Sequence, residues 1–451
     1  MHLPSLQRFN VLAAPAGTLS PFERVLGLFT QVHGGEGRGA ALLATNVFLL
    51  MLAGYLLKPV REALVLIEGG AEIRSLAAAG QAVAFFALMP AYAVWSRGRD
   101  RLRLVQGVTL FFVGQLAVFA ALGMSGVHVG VAFFVWQGVF NVFIVAQFWA
   151  FAAEIYHVES GQRLFAVIMV GASLGALTGA RVAGTLMGTL GPWGLMGLAG
   201  LATLATLGLL SSAARSVPAD SARASAPVES VHDRSCGFRA VLSDGYLRLI
   251  AVFVVLLNLI QSTGDYVLAK LVIQFADQAV AAGSELTRQA LIGDFYARFY
   301  GWMCVLNIAL QLLLVSRIIR RAGVSGALLL APLAAVIGFG LISATPVFAI
   351  VAVGQLSAIS LNYSVQNTAR QALFLPVDGT ARFQGKTAIE TFFWRFGDLL
   401  GAGVVYGGAF LLQFGTSQFA LFNTALALAW FAVALRIGRR YQALLQTEPK
   451  P

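Results

Sequence analysis

Twelve apolar runs, each close to 20 residues long, divide the chain between residues 39 and 436. About 20 consecutive apolar residues are enough to cross the hydrocarbon core of a bilayer as one helix. In chain order, the runs lie at 39–57, 73–95, 104–123, 127–153, 164–187, 192–212, 246–268, 290–315, 325–343, 346–368, 387–411 and 416–436. The sequence therefore predicts an all-α polytopic membrane protein with 12 transmembrane helices.

The composition supports this fold class and excludes several others. Hydrophobic residues make up 58% of the chain and charged residues 11%, whereas soluble domains are about 25% charged. Too few polar side chains remain to cover a soluble globule, so a soluble enzyme is excluded. The two cysteines and five scattered histidines show no metal-ligand spacing, and there is no phosphate-binding P-loop. We predict no metal, no cofactor and no enzymatic activity.

Basic residues alternate between the segments that connect the runs. Residues 96–103 (SRGRDRLR) and 316–321 (SRIIRR) follow the second and eighth runs, whereas the connections after the third and ninth runs carry no Lys or Arg. Such a bias marks the cytoplasmic side of a membrane. It predicts that both termini are cytoplasmic, in a bacterial inner membrane. It also accounts for the net charge of +11, so we predict no nucleic-acid partner.

The chain divides into two six-helix halves. The segment after the fourth run, 158–163 (VESGQR), resembles the segment after the tenth run, 377–382 (VDGTAR). Two duplicated halves with a substrate bound between them are typical of the major facilitator architecture. The predicted units are a cytoplasmic N-terminal segment, an N-terminal half, a linker, a C-terminal half and a cytoplasmic tail, at 1–38, 39–212, 213–245, 246–436 and 437–451.

Ionisable side chains at bilayer depth are costly and usually functional, which makes them the candidate site residues. Lys58 and Arg61 flank Pro59, where the missing backbone donor should break or kink the helix. Two cations beside a broken helix suit an anionic substrate group. The alternative is that they extend to the outer interface. Arg181 has no acid nearby in sequence, so it needs a partner on another helix or a substrate anion.

The seventh run carries a polar stripe. Asn258, Gln261 and Asp265 lie three and four residues apart, which places them on one helix face. We expect this face to line a cavity and to contact the substrate. Glu154 closes the fourth run and is a further substrate-binding candidate. Its alternative role is to pair with a loop arginine such as Arg163.

Three pairs of opposite charge lie three or four residues apart: Asp294–Arg298, Lys386–Glu390 and Arg395–Asp398. The first pair is predicted to be structural, and the second to be a cytoplasmic gate. The third pair lies deeper in its run. It contacts the substrate or serves as a structural pair that balances its own charge.

From about residue 35 onward the chain resembles the ATP/ADP antiporter (nucleotide transporter) family of plastids and intracellular bacteria. The strongest segments are 35–67 (GEGRGAALLATNVFLLMLAGYLLKPVREALVLI), 69–72 (GGAE) and 148–155 (FWAFAAEI). Weaker segments are 258–270 and 385–401. Known members exchange ATP for ADP or move other nucleotides, and two lysines and two glutamates are implicated in that transport. The resemblance implies a nucleotide transporter with a major facilitator-like fold.

Two of those four positions carry over to this chain. Lys58 lies where the family has its first lysine, and Glu154 lies where its similar FWGFANEI segment has a glutamate. Where the other glutamate is expected the chain has Gln261, with Asp265 one turn on. Where the second lysine is expected it has Asp398. That change reverses the sign of a phosphate contact, for which Arg395, one turn away, could compensate.

The leading prediction is therefore an antiporter of nucleotides or related organic phosphates that works as a monomer in the lipid bilayer. Its partner would be a small anionic solute. The alternative is a proton-coupled transporter of another solute, such as a metabolite, drug or lipid, in which Glu154, Asp265 and Asp398 carry the proton. A third possibility is a membrane sensor or scaffold that has lost transport. The sequence leaves the substrate and the direction of flux open.

Overall fold

The computed structural model describes residues 36–96, 99–156, 158–216, 234–345, 347–377 and 385–447. Within these ranges every regular element is a helix. A helix satisfies its backbone hydrogen bonds internally, which hydrocarbon requires of any spanning segment. The all-α prediction is confirmed. Most of the predicted N-terminal segment and of the linker lies outside the described residues.

The helices are named α1 to α12 in chain order: Glu36–Trp95, Arg101–Met124, Gly130–Ile155, Val158–Ser216, Arg234–Ser243, Gly245–Ala281, Arg288–Leu310, Ser316–Ala344, Phe348–Leu361, Asn367–Ala372, Trp394–Tyr406 and Thr416–Thr447. Four π-helical turns continue these helices at Gln311–Val315, Asn362–Gln366, Ile389–Phe393 and Gly407–Leu411. Side-chain caps begin several helices. The Asp244 carboxylate, for example, accepts from the backbone N–H groups of Tyr246 and Leu247 at the start of α6.

Three long helices are broken at glycines that lie between predicted runs. Gly70 in α1, Gly191 in α4 and Gly323 in α8 have φ values of 70°, 63° and 67°. Only glycine adopts this left-handed region without strain. α1 continues through Pro59 and leaves helical geometry at Gly70, so the break expected at Pro59 lies three turns later. By length and composition, eight helical stretches of the described ranges could cross a membrane. The count of 12 stays a prediction.

The buried apolar side chains form two clusters that follow the order of the chain. One consists almost entirely of residues from α1 to α4, with Phe133, Phe140 and Phe148 among its largest side chains. The other is centred on α6 to α12 and includes Phe253 and Phe419. Large apolar side chains also cover the outside of the bundle, as a lipid environment requires. Phe111 and Leu421, for example, are 62% and 63% exposed.

Small residues fix the distance between α1 and α4. Gly171, Gly175 and Gly179 lie on one face of α4, and a Cβ atom at any of them would collide with backbone atoms of α1. The two backbones therefore approach as closely as small-residue packing in membranes allows. This contact fixes α1 at residues 44–55, directly before its charged residues.

Candidate functional site

Glu62 lies at the centre of a charged network. It is fully buried, and its carboxylate forms ion pairs with two guanidinium groups. Arg61 Nη2 lies 2.8 Å from Glu62 Oε1, and Arg74 Nε lies 2.5 Å from Glu62 Oε2. The Tyr300 hydroxyl donates to Oε1 at 3.3 Å. A carboxylate removed from water is tolerated only with such complete pairing.

Three further contacts extend this network to other helices. Arg74 Nη2 lies 3.6 Å from Asp265 Oδ2 on α6, and Gln355 on α9 donates to Asp265 Oδ1 at 2.8 Å. Arg61 Nη1 donates to Gln137 Oε1 on α3 at 2.9 Å. We call the set the Glu62 network: Arg61, Glu62, Arg74, Gln137, Asp265, Tyr300 and Gln355. Its two arginines and two carboxylates cancel in formal charge.

A second ionic contact joins the same parts of the chain. Lys270 Nζ on α6 lies 3.1 Å from Glu72 Oε1 on α1, and the Tyr266 hydroxyl donates to the same oxygen at 2.9 Å. With the Arg74–Asp265 contact, it connects the region before residue 216 to the region after residue 234. The two regions are therefore held together by charge at this end of the bundle.

Lys58 lies one turn before the Glu62 network and is not neutralised by it. Its Nζ lies 3.8 Å from the centroid of the Tyr55 ring and 5.6 Å from that of the Tyr300 ring. In the part of the chain that the structure describes, Lys58 makes no ion pair. Aromatic faces attract a cation, but they leave its formal charge in place. Lys58 is therefore available to bind an anion.

Arg395 and Asp398 neutralise each other on α11. Arg395 Nη1 lies 3.3 Å from Asp398 Oδ2, and the guanidinium group also lies over the Phe85 ring of α1, 4.3 Å from its centroid. The pair predicted from the spacing of three is thus formed, whereas its role in substrate binding stays a prediction.

Tyr363 places this pair and the Glu62 network around one space. Its side chain is 53% exposed, and its hydroxyl lies within electrostatic range of four charged groups, Arg61, Asp265, Arg395 and Asp398. An exposed ring surrounded by charged groups of three helices lines a polar space inside the bundle. We call it the central cavity.

The polar stripe of α6 contacts neighbouring helices. Gln261 Oε1 accepts from Asn362 Nδ2 at 2.9 Å, as Asp265 accepts from Gln355. Asn258 donates to the backbone of its own helix, at Val254. The substrate contacts expected for these three residues stay predictions. The structure shows the hydrogen-bond partners that their side chains have within the protein.

Glu154 pairs with an arginine, although with a different one from the example considered above. Arg101 Nε, at the start of α2, lies 3.0 Å from Glu154 Oε2, and the carboxylate side chain is 40% exposed. The side chain of Arg163 lies outside the described residues. Glu154 is far along α3 from Gln137, which belongs to the Glu62 network.

The remaining predicted residues make contacts of their own outside the Glu62 network. Arg181 is exposed and lies over the Trp302 ring, 5.6 Å from its centroid. Asp294 and Arg298 form the expected pair, with Nη2 and Oδ2 2.9 Å apart. Of the predicted gate pair, Glu390 accepts from Gln371 at 2.8 Å. Lys386 Nζ lies 6.0 Å from the centroid of the Phe374 ring. Roles for these residues stay predictions.

Sequence reasoning missed Glu72, Arg74, Lys270 and Arg370 as site residues. Arg74 and Lys270 border apolar runs, where a charge is easily taken for an interfacial residue. Their partners lie on other helices, and spacing within one helix gives no signal for such contacts. Arg370 follows the tenth run closely in sequence, but only the structure distinguishes it from an interfacial residue, because its side chain is 6% exposed.

Comparison with known proteins confirms the resemblance. No family model matches the chain. It is 26% identical over 357 residues to ADP,ATP carrier protein 1 of Chlamydia muridarum, a match that covers 67% of this chain and 63% of the relative. It is 22% identical over 342 residues to the chloroplastic ADP,ATP carrier protein 2 of Arabidopsis thaliana. This match covers 68% of this chain and 54% of the relative. The match thus spans less than two thirds of these relatives' own length.

Solved structures of transporters share the fold. The nucleoside transporter NupG is 12% identical with a TM-score of 0.60, over 91% of this chain and 100% of that one. The peptide transporter POT in complex with sulfate is 12% identical with a TM-score of 0.61, over 94% and 98%. The human organic anion transporter MFSD10 is 17% identical with a TM-score of 0.55, over 88% and 99%. The major facilitator-like fold is therefore confirmed.

Proposed function

We propose that this chain is a secondary transporter that exchanges nucleotides or related organic phosphates across a membrane by alternating access. The observation that carries the proposal is the state of Lys58. Its ammonium group lies inside the bundle, between two aromatic rings and without an acidic partner among the described residues. The neighbouring Arg61 and Arg74 are neutralised by Glu62 and Asp265. The similarity to ADP,ATP carriers supports an adenine nucleotide as the anion.

An unneutralised cation also explains why transport would be an exchange. Enclosing an unpaired charge in a low-dielectric interior costs several kcal/mol, and a well-placed counter-charge offsets that cost. A phosphate group bound to Lys58 supplies the counter-charge, so the loaded cavity can close around it. The empty carrier meets the full penalty at Lys58 and stays open until a second anion binds.

Alternating access would break and remake the ionic contacts at the Glu72 end of the bundle. Glu72–Lys270 and Arg74–Asp265 join the two regions, so these regions can separate there only if both contacts open. The basic segments 96–103 and 316–321 lie at the opposite ends of their helices. If those segments are cytoplasmic, the contacts form the outer gate.

The proposal includes the architecture predicted from the sequence. The two halves are 39–212 and 246–436, joined by 213–245, with 12 spans in total. The carrier lies in a bacterial inner membrane with its terminal segments 1–38 and 437–451 in the cytoplasm. It works as a monomer and catalyses no covalent reaction.

Counterflow in proteoliposomes tests this function. Vesicles are loaded with unlabelled ATP and ADP, and trace labelled ATP is added outside. We expect labelled ATP to accumulate only when nucleotide is present inside. Accumulation that follows an imposed pH gradient, and that needs no internal nucleotide, would contradict exchange and favour the proton-coupled alternative, with Asp265 and Asp398 as the groups to test next.

A further inference from the structure

Arg370 on α10 is a second buried cation without an acidic partner. Its side chain is 6% exposed. Nη2 donates to Asn367 Oδ1 at 3.0 Å, and the guanidinium group lies 4.6 Å from the centroid of the Trp394 ring. Nε and Nη1 are buried and have no hydrogen-bond partner among the described residues. Within the described residues, Arg370 forms no ion pair.

The surroundings of Arg370 leave further hydrogen-bonding capacity unused. Gln366, one turn earlier, is fully buried, and in the part of the chain that the structure describes neither its Nε2 nor its Oε1 atom has a hydrogen-bond partner. Buried polar groups are nearly always hydrogen-bonded, and an unmet donor costs about 1–3 kcal/mol. An arginine with two unmet donors beside an unmet amide therefore indicates a place where a ligand completes the bonding.

Arg370 lies on the side of its helix that borders the central cavity. Tyr363, Asn367 and Arg370 are four and three residues apart, which places them on one face of the helix. Tyr363 lines the central cavity, and Asn367 is exposed on the same face. A ligand in the cavity reaches Arg370 by passing along these two residues.

The other deep arginine of this region is not available. Arg395 is neutralised by Asp398 at 3.3 Å, and Trp394, the neighbour of Arg395 in sequence, stacks on Arg370. Of the deep basic groups that the structure describes around the central cavity, Lys58 on α1 and Arg370 on α10 thus form no ion pair. They lie in different halves of the chain.

We propose that Arg370, assisted by Gln366, Asn367 and Trp394, binds a phosphate group of the substrate on the C-terminal half, opposite Lys58 on the N-terminal half. This inference rests on the proposed function and sharpens it. Two separate cations favour a substrate with at least two ionised phosphate groups, and each half needs the anion in order to close on the other. An arginine fork suits a phosphate better than a lysine does.

Binding measurements on the purified, full-length carrier test the inference. Affinities for ATP, ADP, AMP and adenosine are compared among wild type, Arg370→Gln, Arg370→Lys and the matched control Arg439→Gln, whose side chain is exposed on α12. A hydrogen bond to a charged group contributes about 1.5–3 kcal/mol, and 1.4 kcal/mol is tenfold in affinity. We expect Arg370→Gln to weaken ATP and ADP about 10- to 100-fold, with adenosine unchanged and Arg439→Gln like wild type.

The outcomes separate this inference from the proposed function. If the wild type binds no nucleotide, the proposed function fails and this inference fails with it. If the wild type binds ATP and Arg370→Gln binds it equally well, only the inference is overturned. An equal loss for ATP and adenosine would also overturn it, since that pattern indicates a structural role. If Arg370→Gln does not fold, Arg370→Lys decides: a loss confined to ATP and ADP supports the inference, and unchanged affinities overturn it.

Discussion

The Glu62 network and the region around Arg370 both bury arginine, but the arginine charge is neutralised in the first and not in the second. In the Glu62 network, Glu62 pairs with Arg61 and Arg74 at 2.8 Å and 2.5 Å, and Asp265 supplies the second negative charge. Around Arg370 the nearest partners are an amide and an aromatic ring. The difference teaches that burial alone does not mark a binding residue. A neutralised cation serves the structure, whereas an unneutralised one needs a ligand.

The largest expected effect comes from breaking the neutralised side of this comparison. Glu62→Gln leaves Arg61 and Arg74 buried with one carboxylate, Asp265, left between them. Removing one partner of a buried ion pair costs about 3–5 kcal/mol. We expect a large drop in thermal stability, measured by melting of the detergent-solubilised protein.

The matched control for that change is Glu390→Gln, which removes the negative charge from a carboxylate that accepts from Gln371 in a more exposed setting. We expect it to melt within a few degrees of the wild type. Equal destabilisation by the two variants would contradict the central role given to the Glu62 network.

The second prediction converts a neutralised cation into a free one. Asp398→Asn removes the negative charge that holds Arg395 at 3.3 Å. A partly exposed pair of this kind is worth about 1 kcal/mol, so freeing Arg395 should raise affinity for ATP about fivefold. Isothermal titration of the wild type and the variant checks this. Weaker ATP binding by Asp398→Asn would mean that Asp398 itself contacts the substrate.

A smaller effect is expected at the more exposed ionic contact. The Lys270 and Glu72 side chains are 37% and 26% exposed, and exposed ion pairs contribute about 0–1 kcal/mol. Lys270→Ala should therefore lower stability little. It should instead favour opening at this end, which is measured as faster labelling of a cysteine introduced at Ala71, a buried neighbour of Glu72. Unchanged labelling would remove this contact from the proposed gate.

The smallest stability effect belongs to Lys58. Because no acidic side chain among the described residues forms an ion pair with Lys58, Lys58→Ala leaves no buried carboxylate unpaired. We expect its melting temperature to lie within a few degrees of the wild type. A collapse in stability like that of Glu62→Gln would show that Lys58 is part of the structural network after all.

The sequence was sufficient to predict the helical membrane fold because the length and apolar composition of each run are local properties of one segment. It was also sufficient for the pairs Asp294–Arg298 and Arg395–Asp398, whose members lie on one helix. It could not show that Arg61 is neutralised and Lys58 is not. That balance depends on the whole Glu62 network, in which Arg74 contacts Glu62 from beyond the break at Gly70 and Asp265 contacts Arg74 from another helix. Nor could it single out Arg370, because the absence of a partner is a property of the packed bundle.

Uptake of labelled ATP into nucleotide-loaded proteoliposomes by Lys58→Ala, beside wild type and Arg439→Ala, tests the central claim most directly. The account predicts that Lys58→Ala, although folded, loses exchange by about 10- to 100-fold, as expected for a charged contact worth about 1.5–3 kcal/mol. Arg439→Ala should exchange like the wild type. Exchange by Lys58→Ala at the wild-type rate would contradict the claim that an unneutralised cation in the bundle binds the transported anion.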